Sequence, residues 1–186
     1  MTAPPHGLLE ATTAEIEAHV AAAGWDRPPL LFALVRAAQL AADDPATAER
    51  LGLDAASDDA LVPIEQEPLP DGPLDEVLAQ IAWPPEVAGC ALAQEIMVLP
   101  PSAEDEDEVD GAADGGDGAA DIAAAAAHPE RRDARLVVGV LRESPGTAAA
   151  LLRLRGRDGE DDSDLLTGPD LAPNLAEALH ATLAAD

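Results

Sequence analysis

The chain has 186 residues, with 37 acidic side chains against ten arginines and no lysine, for a formal net charge of −27. Such a polyanion repels phosphate backbones and anionic membrane faces, which excludes nucleic-acid binding through a basic surface and membrane attachment by charge. No apolar run reaches the roughly 20 residues of a spanning helix. The hydrophobic fraction is 47%, but nearly half of it is alanine, 42 residues, so the core rests on Leu, Val and Ile with Trp25, Phe32 and Trp83.

Length suggests one domain spanning 1–186. A single cysteine, Cys90, forbids an internal disulfide and fits a reducing compartment. The N-terminal MTAPPHGLLEATT has no basic n-region and no apolar h-region, so the expected location is the cytoplasm. Arginine as the sole cation, with abundant Ala, Gly and Pro, fits a GC-rich genome; a halophile's acidic surface is the rival explanation.

In chain order, Leu9, Ile16 and Val20 fall at helical spacing between Leu8 and Ala23, with Thr12 and Thr13 filling the missing turn and Gly24 as the stop. LLFALV at 30–35 reads as a buried strand. Asp44-Pro45 is an N-cap and first-position pair for a short helix. The three prolines of ALVPIEQEPLP, 60–70, demand an edge strand or extended segment. A helix is expected from Pro73 to Trp83, ended by Pro84-Pro85.

Strands follow. In 87–99 one face carries Cys90, Leu92, Ile96 and Val98 with Gln94 among them, and the other carries mostly alanine plus Glu95 and Met97. Residues 102–121 hold nine acids and no base, with Val109 the one bulky apolar side chain. Like charges without a core cannot offset ordering entropy, so 101–127 is expected to be a disordered acidic insertion. Beyond it, Leu136, Val138 and Val140 alternate with Arg135, Val137, Gly139 and Leu141. A turn at Ser144-Pro145-Gly146 leads to a partner strand carrying Leu152 and Leu154. Keeping both leucine-valine rows on one face requires paired residue numbers with an even sum, such as 138 with 152, which excludes a two-residue loop and favours three or five residues. The same register gathers Arg135, Arg153 and Arg155 on the opposite face. Leu171, Leu175, Leu179 and Leu183 mark a C-terminal helix.

The strings GWDRPPLLFALV (24–35), DGPLDEVLAQIAWPPEVAGCALAQEIMVLPP (71–101), RLVVGVLRE (135–143) and LLTGPDLAPNLAEAL (165–179) resemble an uncharacterised family of small acidic actinobacterial proteins of unknown function. The resemblance implies a compact cytoplasmic protein of that lineage and transfers no catalytic residue.

Six of the ten arginines lie in or beside the hairpin. Arg135, Arg153 and Arg155 are the candidate anion-binding residues, since guanidinium forks take phosphate or carboxylate bidentately; the competing reading is charge balance against Glu95, Glu143 and the 158–164 acids. Acid spacing from Asp105 or Asp158 fails the calcium-loop pattern. His6, His19, His128 and His180 have no second ligand at zinc spacing, so no metal is expected. No serine sits in a nucleophile elbow, Cys90 lies among apolar strand residues, and no glycine-rich phosphate loop follows a strand. Trp25 and Trp83, each beside a proline break, are either partner-contact anchors or seals of the core.

The fold expected is α+β: one mainly antiparallel sheet with helices on one face and the disordered acidic insertion. The function expected is a non-catalytic cytoplasmic adaptor or regulatory protein that binds a protein partner, with no cofactor, nucleic acid or membrane. The alternative is a small-anion-binding protein or enzyme using the arginine-rich sheet face with Glu95 as acid or base. A concave pocket holding Arg135, Arg153 and Glu95 favours the alternative; a flat solvated face opposes it.

Overall fold

A computed structural model describes residues 5–53, 60–98, 131–157, 161–162 and 165–184; the acidic segment expected at 101–127 lies outside them. In chain order the elements are α1 (Pro5–Ala22), β1 (Leu30–Arg36), α2 (Ala37–Asp43), α3 (Pro45–Arg50), β2 (Leu61–Glu65), α4 (Leu74–Leu78), β3 (Gly89–Val98), β4 (Arg132–Leu141), β5 (Ala148–Leu154), β6 (Leu166–Thr167), a 3₁₀ turn (Pro169–Leu171) and α5 (Pro173–Ala184). The six strands form one antiparallel sheet in the order β2-β1-β3-β4-β5-β6. This is the α+β class with a single antiparallel sheet.

The helices flank both faces of that sheet, which corrects the expectation of helices on one face. Successive residues of β4 are buried on alternate sides. Val138 and Val140 join Cys90, Leu92, Leu179 and Leu183, whereas Val137 and Leu141 join Leu9, Ile16, Val20 and Phe32. The physical reason is visible in the runs LVVGVL and LLFALV. Apolar residues at both parities mark a strand covered on both sides, where a half-exposed strand would alternate apolar with polar.

α1 lies on one face with an unusually close approach. A Cβ built on Gly139 would stand 2.7 Å from Thr13 Oγ1 and 3.1 Å from Leu9 Cδ1, so the helix rests on bare backbone there. Thr13, fully buried, donates its hydroxyl to Leu9 O at 2.6 Å, which satisfies the polar group inside the core. On the other face α5 presents Ala176, Leu179 and Leu183 to β3 and β4.

Local chemistry accounts for the boundaries. The Asp44 side chain accepts from Thr47 N at 3.1 Å and caps α3, with Pro45 at its first position. α4 is shorter than the helix expected to Trp83: it ends at Leu78, closed by Gln80 N to Val77 O and Ile81 N to Leu78 O. The chain then extends so that Trp83 Nε1 donates to Thr182 Oγ1 of α5 at 3.0 Å. β4 and β5 pair with Val138 opposite Ala150, an even sum as the face argument requires; seven residues separate the paired Val140 and Ala148, more than the three or five expected.

Arg142, just past β4, supports the loop. Its guanidinium donates to the carbonyls of Val87, Trp83 and Pro84 and to Leu183 O near the end of α5. A cation at a helix C-terminus complements its dipole.

Candidate functional site

Register alone brings the arginines together: Arg135 is the Cα partner of both Glu95 on β3 and Arg153 on β5. All three side chains lie on the α1 side of the sheet, and there Glu17 of α1 meets them. Arg153 donates to Glu17 bidentately, Nε to Oε1 at 2.7 Å and Nη2 to Oε2 at 3.0 Å. Arg135 donates Nη1 to Glu17 Oε1 at 3.5 Å and Nη2 to Gly24 O at 2.8 Å. The Trp25 ring covers Arg135 with its centroid 4.3 Å from the guanidinium carbon, a cation–π contact.

The loop after α1 completes the cluster. Asp26, at a positive φ of 65°, takes both forks of Arg155 at 3.0 and 3.1 Å. The hydrogen bonds and charge of Arg155 hold the Asp26 carboxyl below the usual carboxylate range. Glu95 accepts the backbone N–H groups of Asp26 and Arg27 at 3.0 and 3.1 Å. Asp162 accepts Gly156 N and Trp25 Nε1, both at 2.9 Å, and its carboxyl is held low, first by the Gly156 N–H. Arg135 is 1% exposed and Glu17 2%. An external anion therefore meets guanidinium groups already holding carboxylates of the same chain, with Arg135 closed to solvent.

The opposite face carries an open feature. α5 covers β3 and β4 but leaves β1 and β2 to be covered by the segment between β2 and β3. The result is a groove of about 770 Å³ with Leu31, Ala33 and Val35 on its sheet side. Leu69 with its flanking prolines, Ile81 and Trp83 complete the lining, and Gln66, Glu67 and Gln80 supply its polar groups. Trp83 is half-buried, fixed by Thr182 and by Arg142 on its carbonyl. Such a volume lies in the range of ordinary ligand sites, and the lining is as apolar as those sites are. A smaller cavity of about 510 Å³ lies at the far edge between Glu10 and Ala14 of α1 and the start of β5.

Among the described residues, Cys90, His19 and His180 each have a partner. Cys90 is fully buried, its sulfur 3.7 Å from Leu179 O and Thr182 Oγ1, and burial pushes the thiol up to about 12. His19 Nε2 lies 3.3 Å from Glu65 and His180 Nε2 lies 3.1 Å from Thr147 O. Among the described residues no cluster of three His, Cys, Asp or Glu side chains is placed to hold a metal, and no helix is long and apolar enough to cross a membrane.

Arg135, Arg153 and Arg155 thus come together, and Trp25 joins them as a cover over Arg135, while Trp83 stands apart in the groove. Sequence reasoning missed Glu17. Its signal was present: positions 9, 13, 16, 17 and 20 form one helical stripe, and an acid on that apolar stripe needs a cation beneath it. A family model described as PPA1309-like protein matches residues 9–184. No curated protein and no solved structure matches the chain.

Proposed function

The chain belongs to the PPA1309-like protein family, and we propose that this member is a non-catalytic adaptor or regulatory protein that binds a protein partner in the groove beneath Trp83. The groove itself carries the reading: an apolar sheet face left uncovered by α5, with an indole whose Nε1 donates to Thr182 and whose main-chain carbonyl is held by Arg142. Fixed aromatic side chains in apolar depressions are the usual anchors of protein interfaces. Its polar groups are two amides and one carboxylate, which suit orientation of a bound chain. The arginine face supports the same preference, because Glu17 and Asp26 already take the forks that a small anion would need. Arginine as sole cation with 42 alanines favours an actinobacterial source, and the single cysteine favours the cytoplasm.

The test is a photo-crosslinking residue at Ala82, exposed at the groove, in the full chain exposed to native lysate. The reading expects a discrete adduct from Ala82 that is absent from a control site at Arg27 and lost when Ile64→Arg fills the groove. Equal adducts from both sites, or none from Ala82, overturn it.

A further inference from the structure

We infer that the segment seated in this groove is cationic: an amphipathic stretch whose apolar side lies on Val35, Ile64 and Ile81 and whose Lys or Arg side chains meet the acidic rim. The inference rests on the groove reading above and adds the partner's chemistry. The segment 61–87, which builds most of the groove, carries six acids, Glu65, Glu67, Asp71, Asp75, Glu76 and Glu86, and no Lys, Arg or His. All six are exposed; Glu67 lines the groove itself, whereas Glu65, the Cα partner of Phe32, stands on the α1 face against His19 and is no part of the rim. No Lys or Arg occurs anywhere between Arg50 and Arg131.

The nearest cations on other elements are committed elsewhere. Arg142 donates to main-chain carbonyls behind Trp83, Arg36 pairs with Glu143 at 2.5 Å, and His19 lies against Glu65 from the other face. An apolar floor inside an uncompensated anionic rim selects a partner with the complementary pattern and repels an acidic one.

The occupant lies on the sheet face and does not extend the sheet edge. Gln66 N donates to Leu31 O and Ala37 N to Ala60 O, so the hydrogen-bonded pairs of β1 and β2 are every second one and the Leu34–Pro63 pair falls between them. Position 63 therefore turns its nitrogen outward, where proline has no N–H to offer an added strand. An amphipathic helix with apolar residues at i, i+3 or i+4 and i+7 fits a face-seated occupant.

The test uses the full chain as Trp25→Phe, leaving Trp83 as sole fluorophore, and three synthetic helical peptides of equal length: Leu/Lys amphipathic, Leu/Glu amphipathic, and Ser/Lys without an apolar side. The Leu/Lys peptide should shift Trp83 emission saturably, bind about tenfold or more weakly as salt rises from roughly 0.05 to 0.5 M, and lose its effect in Ala82→Arg. The same peptides crosslinked from Ala82 in the chain with both tryptophans give the readout should Trp25→Phe fail to fold. Equal binding of Leu/Glu and Leu/Lys, both blocked by Ala82→Arg, overturns the cationic inference and leaves the groove reading standing. An equal response to Ser/Lys reduces the effect to bulk polyanion attraction and overturns it too. No response to any peptide overturns both readings.

Discussion

Glu17→Gln isolates the arginine cluster, because it removes one charge and keeps the shape. The Glu17 side chain is 3% exposed and bridges Arg135, 1% exposed, and Arg153, 26% exposed. Removing one partner of a buried ion pair costs about 3–5 kcal/mol, since the other charge stays desolvated and unmatched. Arg153 recovers part of its solvation at the cluster's rim. Arg135 does not, but it keeps Gly24 O at 2.8 Å and the Trp25 ring at 4.3 Å. The lower end, about 3 kcal/mol, is therefore expected, which for a chain of this size lowers Tm by roughly 6–12 °C. Urea unfolding followed by tryptophan emission and far-UV circular dichroism measures it, with the slope m unchanged. A companion variant, Glu17→Leu with Arg135→Met, deletes both charges and should be less destabilised than Glu17→Gln alone. A loss under about 0.5 kcal/mol for Glu17→Gln, or a double variant worse than the single, refutes the claim that Glu17 neutralises a buried arginine.

Three further outcomes follow from the same structure. Cys90 should resist alkylation at pH 8 in the native chain and react once denatured, as mass spectrometry reads directly; its folded thiol keeps to about 12 the proton that the unfolded chain loses near 9.0, so stability falls as pH rises through that window. Asp26 and Asp162 have lowered folded pKa values, so their contribution is present above 3.8 and lost as pH falls below it; Trp25 emission in Trp83→Phe should change in that acid range, less so in Asp26→Asn and not in Asp26→Asn/Asp162→Asn. Gly139→Ala should destabilise by about 1–3 kcal/mol in thermal unfolding, and Thr13→Ala should restore part of it by removing the hydroxyl in the way.

Much of the fold was legible because it rests on local chemistry and parity. Asp44 ahead of Pro45 names its own cap, and the prolines of 60–70 place β2 at an edge. Parity of apolar positions puts Arg135 on the same face as Arg153 and Arg155 whatever the loop length, which is why the face assignment survives a seven-residue loop that makes Arg153 the direct partner of Arg135. Two-sided covering was less legible, because Arg135 and Gly139 interrupt the second apolar row of β4 that Val137 and Leu141 form. The groove was not legible at all. It exists because α5 covers only part of a sheet whose width depends on long-range pairing, and no local pattern in Leu31 or Trp83 announces that.

Formal charge treats ten arginines as a distributed counterweight to 37 acids, but their placement says otherwise. Arg135 and Arg153 turn inward to Glu17, Arg142 to main-chain carbonyls, and Arg155 to Asp26. These cations act as internal fasteners for α1, α5 and the loop after α1. A group bound in this way cannot also greet a ligand without releasing its partner, and for Arg135 that release leaves a buried charge. Solvent therefore meets an exterior more anionic than the count suggests, and among the described residues the apolar groove interrupts it on the α5 side of the sheet. The arginine cluster and the groove lie on opposite faces of the same sheet, so destabilising the first and blocking the second are separable perturbations. Ala82→Arg should abolish peptide binding with little change in Tm, whereas Glu17→Gln should lower Tm and leave binding intact below the transition. If Glu17→Gln instead weakened binding in the folded range, the arginine face would take part in recognition and the division of roles between the two faces would fail.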